Sequence, residues 1–299
     1  SLLKDFSFKD DGTKVYFLTG APAVDQYTLS TPWDLSTATY DSVSYSDLNG
    51  EHDAAGLAFS SDGSEMYVTG DDVDRIYQYT LSTPWDISTA STTGSYYIKL
   101  YDSVSKGLAI NADGTKIYVL GGSDDEVIEF EMTTPWDITT AGSAYQFYVG
   151  DEDFWPRDMA FTSNGATMLV IGDGYDKIYK YTLSTPWDLS SASYTSTTFD
   201  LTDQTTSSGS LQLGNGDSEL YVATEGRDAY QYSSSGCNTG IGEWVQVDND
   251  TTTGLSANSQ YTFQAKARNG DGVETNYSSS SSKYTAIETP SLSVSSVGS

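Results

Sequence analysis

Residues 108–143 read LAINADGTKIYVLGGSDDEVIEFEMTTPWDITTAGS. The triplet Leu108-Ala109-Ile110, large-small-large, suits a strand with one crowded face. Asp113-Gly114 is a strong short hairpin signal, because Gly supplies the left-handed backbone that a tight turn needs. KIYVLGG at 116–122 is a second strand. Asp124-Asp125-Glu126 forms an acidic loop, and Val127 and Phe130 lie in a third strand. TPWD at 134–137 and a Ser/Thr/Ala stretch lead to a fourth, looser strand.

The same order returns along the chain. The Trp of TPWD stands at 33, 85, 136 and 187, in steps of 52, 51 and 51. The Gly of the turn stands at 12, 63, 114 and 165, each step 51. Tyr16, Tyr67, Tyr118, Leu169 and Tyr221 mark the second strand, and Tyr27, Tyr79, Phe130, Tyr181 and Tyr232 the third. Three markers sharing one period define a repeat architecture. The looser fourth strands are expected at 95–102 and 143–150, and no segment keeps a helical period. A lone four-stranded sheet cannot bury both faces, whereas blades packed about an axis can. The expected fold is therefore all-β, a five-bladed β-propeller of four-stranded repeats over residues 1–236,. No fourth strand precedes the first repeat, so closure by strand exchange is not visible.

The YVTG run after an Asp-Gly turn resembles the YVTN-type propeller repeats of surface-layer proteins. The TPWDLSTA extension resembles repeats in structural proteins of marine bacterial viruses. After residue 236 the period stops. GLSANSQYTFQAKARNGDGVETNYSSSSSKYTAIETP at 254–290 resembles the second half of a fibronectin type III domain. Leu255 and Tyr261 match its tyrosine corner, and Ala267, Asn269 and Gly270 the strand and turn that follow. The resemblance implies a fibronectin-like β-sandwich segment at 237–289, incomplete because its first strands are missing or very short. Residues 290–299 look like the first strand of a further domain or a linker. The chain starts at Ser1, as a processed or truncated product would.

Composition narrows the function classes. Lys and Arg number 14 against 42 Asp and Glu over 299 residues, a net charge of −28. A phosphate backbone needs a basic surface, so nucleic acid is excluded as a partner. There is no apolar run long enough to insert in a membrane. The single Cys237 leaves no intrachain disulfide framework, and the single His52 no multi-His metal site or Ser-His-Asp triad. Modular layout, acidity and Ser/Thr/Tyr richness point to a non-catalytic extracellular protein, a component of a virion, surface layer or filament with an adhesive role. Its expected partners are other copies, other surface or virion proteins, or glycans, in a homo-oligomer or larger assembly. The competing reading is a carbohydrate-active enzyme, a glycoside hydrolase on a five-bladed propeller. It needs two carboxylates at the axial channel. Asp5 and Asp158 precede the first strands of repeats one and four and are the candidates, with Gly56, Gly107 and Ser210 at the equivalent positions.

Three sets of residues are candidate binding sites. Trp33, Trp85, Trp136 and Trp187 recur at one place per blade. They either pack over their own blades or form a ring of aromatic platforms for sugars. Asp34, Asp86, Asp137 and Asp188 beside them can cap the next turn. Asp71, Asp72 and Asp74, Asp124, Asp125 and Glu126, and Asp173 and Asp176 lie in loops on one rim. They are either solvated charge or weak calcium sites, calcium being the one cofactor suggested. The loops before each first strand differ most: 47–53, 101–106, 150–158 and 200–208. They are the expected contact face, with Trp155 and Tyr101 as its aromatic anchors.

Overall fold

The computed structural model describes residues 2–202, 207–224 and 229–233, together with a few short strands beyond them. Blade one comprises β1 (Leu3–Phe8), β2 (Lys14–Thr19), β3 (Ala23–Leu29) and β4 (Ala38–Tyr45). Blade two comprises β5 (Ala54–Phe59), β6 (Glu65–Gly70), β7 (Arg75–Leu81) and β8 (Ala90–Tyr97). Blade three comprises β9 (Ser105–Ile110), β10 (Lys116–Gly121), β11 (Glu126–Met132) and β12 (Ala141–Tyr148). Blade four comprises β13 (Pro156–Phe161), β14 (Thr167–Gly172), β15 (Lys177–Leu183) and β16 (Ala192–Asp200). Blade five comprises β17 (Ser208–Gly214), β18 (Glu219–Thr224) and β19 (Ala229–Ser233), and β20 (Val245–Gln246) pairs with β19 at Tyr232 and Ser233.

Each sheet is an antiparallel meander in chain order. The inner strands neighbour one another in the order β1, β5, β9, β13, β17, and β17 returns to β1. Five consecutive blades therefore close the ring without exchanging a strand. The outer strands begin earlier than the sequence suggests, at Ala90 and Ala141. The Ser/Thr/Ala stretch itself pairs with the third strand, since an edge strand with solvated side chains needs no apolar alternation.

The TPWD turn explains why the repeat holds. Each Trp has left-handed backbone, with φ of 67°, 64°, 66° and 63° at Trp33, Trp85, Trp136 and Trp187. That conformation costs a non-glycine residue about 1–2 kcal/mol. Three contacts offset it. The Trp N–H donates to the carbonyl of the turn glycine of its own blade, at 2.8–3.0 Å in all four. The indole lies on that glycine so closely that a Cβ at Gly12, Gly63, Gly114 or Gly165 would fall against the ring. The Trp carbonyl accepts the hydroxyl of a tyrosine in the previous blade. Tyr16 donates to Trp85 at 2.6 Å, Tyr67 to Trp136 at 2.6 Å and Tyr118 to Trp187 at 2.7 Å. Tyr221 of blade five donates to Trp33 of blade one at 2.6 Å, which closes the circle. Asp34, Asp86, Asp137 and Asp188 cap the short 3-10 turns that follow, accepting the N–H two residues on,.

The chain divides into two compact units, Ser1–Tyr230 and Gln231–Ser299. In the second, β21 (Thr251–Thr252) pairs with β24 (Leu292–Ser293), and β22 (Gln260–Phe263) with β23 (Ser281–Tyr284). Tyr261 lies in β22, but Leu255, Ala267, Asn269 and Gly270 lie outside the described residues, and the fibronectin-like reading with them.

Candidate functional site

The inner strands present one residue each at the same level of the axis: Asp5, Gly56, Gly107, Asp158 and Ser210. These strands are paired on one edge only, so backbone N–H groups on the other edge need acceptors. The two aspartates supply them. Asp5 accepts from the N–H of Phe6 at 2.7 Å and, across the blade boundary, from Leu57 at 2.7 Å. Asp158 accepts from Met159 at 2.7 Å and from Leu211 of blade five at 2.8 Å. The glycines make room. A Cβ at Gly107 would run into the Asp158 carboxylate, and one at Gly56 into Leu108. Ser210 is buried, and its hydroxyl has no hydrogen-bond partner.

Both aspartates are 1% exposed. Burial pushes the Asp158 carboxyl up to about 8, against the pull of its two N–H donors,. Burial, and then the charge of Asp158, hold Asp5 well above the usual carboxylate range. The two titrate as a pair. The charge of one raises the hold of the other on its proton, so the pair can carry a single proton between them,. One carboxylic acid beside one carboxylate is the minimum equipment of general acid–base hydrolysis.

A second set of carboxylates lies in the loops before the inner strands, and of these only Asp153 reads from sequence as part of an acidic cluster, Asp151-Glu152-Asp153. Glu51 accepts from the N–H groups of Asp53, Asp72 and Val73. Asp102 accepts from Val104, Ser123 and Asp124. Asp153 accepts from Trp155, Gly174 and Tyr175. All three are buried, and each ties the loop before the first strand to the loop between the second and third. Their numbers step by 51, a signal present in stretches that otherwise share little.

The rim acids named from sequence are not brought together. Asp71 pairs with Lys106 at 3.0 Å, Asp74 with Lys99 at 2.8 Å and Asp173 with Arg157 at 2.6 Å. Asp176 accepts from Ser208 at 3.1 Å, and Glu126 from Gln146. Asp72 and Asp124 donate their N–H groups to Glu51 and Asp102, and Asp125 occupies a left-handed turn with φ of 54°. Among the described residues no three acidic, His or Cys side chains converge as a metal site. Trp33, Trp85, Trp136 and Trp187 are half-buried on their turn glycines. Tyr101 is half-buried, edge-on to Phe130 with centroids 5.0 Å apart. Trp155 stands in water, with Phe154 and Tyr175 beside it. No helix among the described residues is long and apolar enough to cross a membrane.

No family model matches the chain, and no curated protein matches it. Solved structures do. The periplasmic gluconolactonase of Pseudomonas aeruginosa aligns over 93% of this chain and 84% of its own, with 11% identity and a TM-score of 0.51. A candidate 6-phosphogluconolactonase of Bacteroides uniformis aligns over 95% of this chain and 86% of its own, with 13% identity and a TM-score of 0.50. At such identity the likeness is one of fold. Both neighbours carry enzyme names, which overturns the expectation of a non-catalytic structural protein. The other reading, an enzyme on the propeller, is the one they back.

Proposed function

We propose that this chain is a carbohydrate-active hydrolase that works at the axial pair Asp5 and Asp158. The observation that carries the reading is this pair: two enclosed carboxyls, one from each of two blades, both with ionisation shifted upward,. Asp5, whose carboxyl is held protonated by burial and by the charge of Asp158, gives its proton to the leaving oxygen as the C–O bond breaks. Asp158, once ionised, takes a proton from the water whose oxygen bonds to the carbon. Atoms and charge balance, and the pair ends with the proton on the opposite member. The substrate is a glycoside or a sugar lactone. The two neighbours are named for lactones, and the acidic surface favours neutral sugars over phosphorylated ones,. The YVTN-type resemblance and the periplasmic neighbour support an exported enzyme.

The same carboxylates tie blade to blade, so activity and stability must be measured apart. We expect the purified chain to hydrolyse glucono-lactone or aryl glycosides, with a rate that rises as pH climbs through about 8. Asp5→Asn and Asp158→Asn should each lower kcat by about 100-fold or more, in line with loss of an acid or base. Both should keep a cooperative melt. No turnover on either substrate class, or turnover indifferent to both variants, overturns the proposal.

A further inference from the structure

We propose that Phe154, Trp155 and Tyr175 form a platform for a neutral sugar ring, the subsite for the part of a glycan that is not being cleaved. The three rings are 46%, 59% and 55% exposed, and they touch: Phe154 lies 5.0 Å from Trp155 and 5.4 Å from Tyr175. Aromatic rings left in water at this density mark a binding surface. The frame beneath them is common to the sister blades, whereas the rings are not. Where blade four has Phe154, Trp155 and Tyr175, blade two has His52, Asp53 and Val73, and blade three has Ser103, Val104 and Asp124. All three sets hang from the equivalent anchors Glu51, Asp102 and Asp153. The loop architecture therefore does not require aromatic residues here.

The platform is also held in place. One buried carboxylate, Asp153, accepts the N–H of Trp155 at 2.9 Å and of Tyr175 at 3.1 Å, fixing both sides from below. A surface ordered before binding loses less entropy on binding. Next to it Asp173 donates its N–H to the Trp155 carbonyl at 3.0 Å and pairs through Oδ2 with Arg157. Its Oδ1 is buried with no hydrogen-bond partner, as is that of the equivalent Asp71 in blade two, so this feature belongs to the shared frame. Apolar ring faces beside a carboxylate already neutralised by a guanidinium fit a neutral sugar ring. Trp155 precedes Asp158 by three residues, with a register shift between Pro156 and Asp158, so at most about 10 Å of chain separates them, within reach of a short oligosaccharide,.

The inference rests on the hydrolase reading for its role as a substrate subsite, and the test separates the two. Calorimetric titration of the full Asp158→Asn chain, and of the Asp5→Asn chain, should use neutral hexasaccharides of β-1,4-glucose, β-1,3-glucose and β-1,4-N-acetylglucosamine. At least one should bind, and Trp155→Ala in the same background should weaken it by 10-fold or more without moving Tm. In the active chain Trp155→Ala should raise KM for that hexasaccharide and leave KM for a monosaccharide substrate unchanged. Trp155-dependent binding in a chain without turnover supports the platform and overturns the hydrolase reading alone. No binding by any hexasaccharide, binding indifferent to Trp155→Ala, or binding only of a Lys/Arg peptide overturns the platform.

Discussion

Four of the five blade boundaries carry the tyrosine–tryptophan clasp, and the boundary between blades four and five does not. At three of the clasped boundaries a phenylalanine ring also lies tilted against both partners: Phe59 lies 4.6 Å from Tyr16 and 5.5 Å from Trp85, Phe161 4.5 Å from Tyr118 and 5.3 Å from Trp187, and Phe8 4.6 Å from Tyr221 and 5.3 Å from Trp33, while Ile110 takes that place at the fourth. Blade four puts Leu169 where a tyrosine would be, and blade five has no TPWD to receive it. This seam is joined by polar groups instead. The N–H and hydroxyl of Ser163 donate to the Asp217 carboxylate at 2.7–3.0 Å, and Leu211 N–H donates to Asp158. Asp5 bridges a boundary that is also clasped, whereas Asp158 bridges the one that is not. Two aspartates with the same local geometry thus differ in what their loss exposes.

The largest expected effect is on pH. A carboxyl whose folded value is raised contributes stability that is complete below its unfolded value, near 4, and lost as pH rises through its folded value. For Asp158 that window runs from about 4 to about 8,. Equilibrium unfolding across this range should show stability falling by on the order of several kcal/mol beyond the general self-repulsion of an acidic chain. Asp158→Asn, neutral at every pH, should remove the Asp158 share of the extra slope and leave that of Asp5,. If the wild type and the variant have parallel pH profiles, the seam does not depend on this proton.

Next in size is the contrast between two turn glycines. Gly63 has φ of 71° and its hydrogens face the Trp85 ring; Gly216 has φ of 64° with nothing within 4 Å of a Cβ. Gly63→Ala should cost about 2–5 kcal/mol, the sum of left-handed strain and overpacking. Gly216→Ala should cost only the strain, about 1–2 kcal/mol. Urea midpoints for the two variants measure the difference, and equal losses would show that the indole is free to move aside.

How much of this was legible follows from distance along the chain. The period, turns and strand order are written locally, as at Asp113-Gly114 and TPWD, so blade count and order follow from them. The clasp joins residues 69 apart, with only Tyr16, Tyr67 and Tyr118 repeating that spacing, and Tyr221 reaching Trp33 over 188. A hydrogen bond to a backbone carbonyl leaves no residue type at the acceptor to betray it, so the tryptophans were open to being either packing or platforms. The axial candidates were visible as Asp5 and Asp158, but their burial and shared proton depend on strands from five blades meeting at one level. The anchoring role of Glu51, Asp102 and Asp153 was hidden in the loops that differ most, because a carboxylate that holds backbone N–H groups constrains no neighbouring side chain.

The smallest expected effect tests the clasp itself. Tyr221→Phe removes one hydroxyl and leaves the Trp33 carbonyl without its donor, for a cost of about 1 kcal/mol. Tyr67→Phe makes the same deletion in the middle of the ring, at Trp136. If each clasp is a local hydrogen bond, the two losses should match in urea unfolding. Tyr221 closes blade five onto blade one, so loss there leaves blade five without a clasp on either side. A larger loss for Tyr221→Phe would therefore mean that blade five depends on that one closure, with the polar seam on its other side unable to hold it. Leu169→Tyr is the complementary control, since it adds a hydroxyl that meets no Trp carbonyl in blade five. It should stabilise nothing, and a gain there would show that the seam has an acceptor other than the TPWD turn.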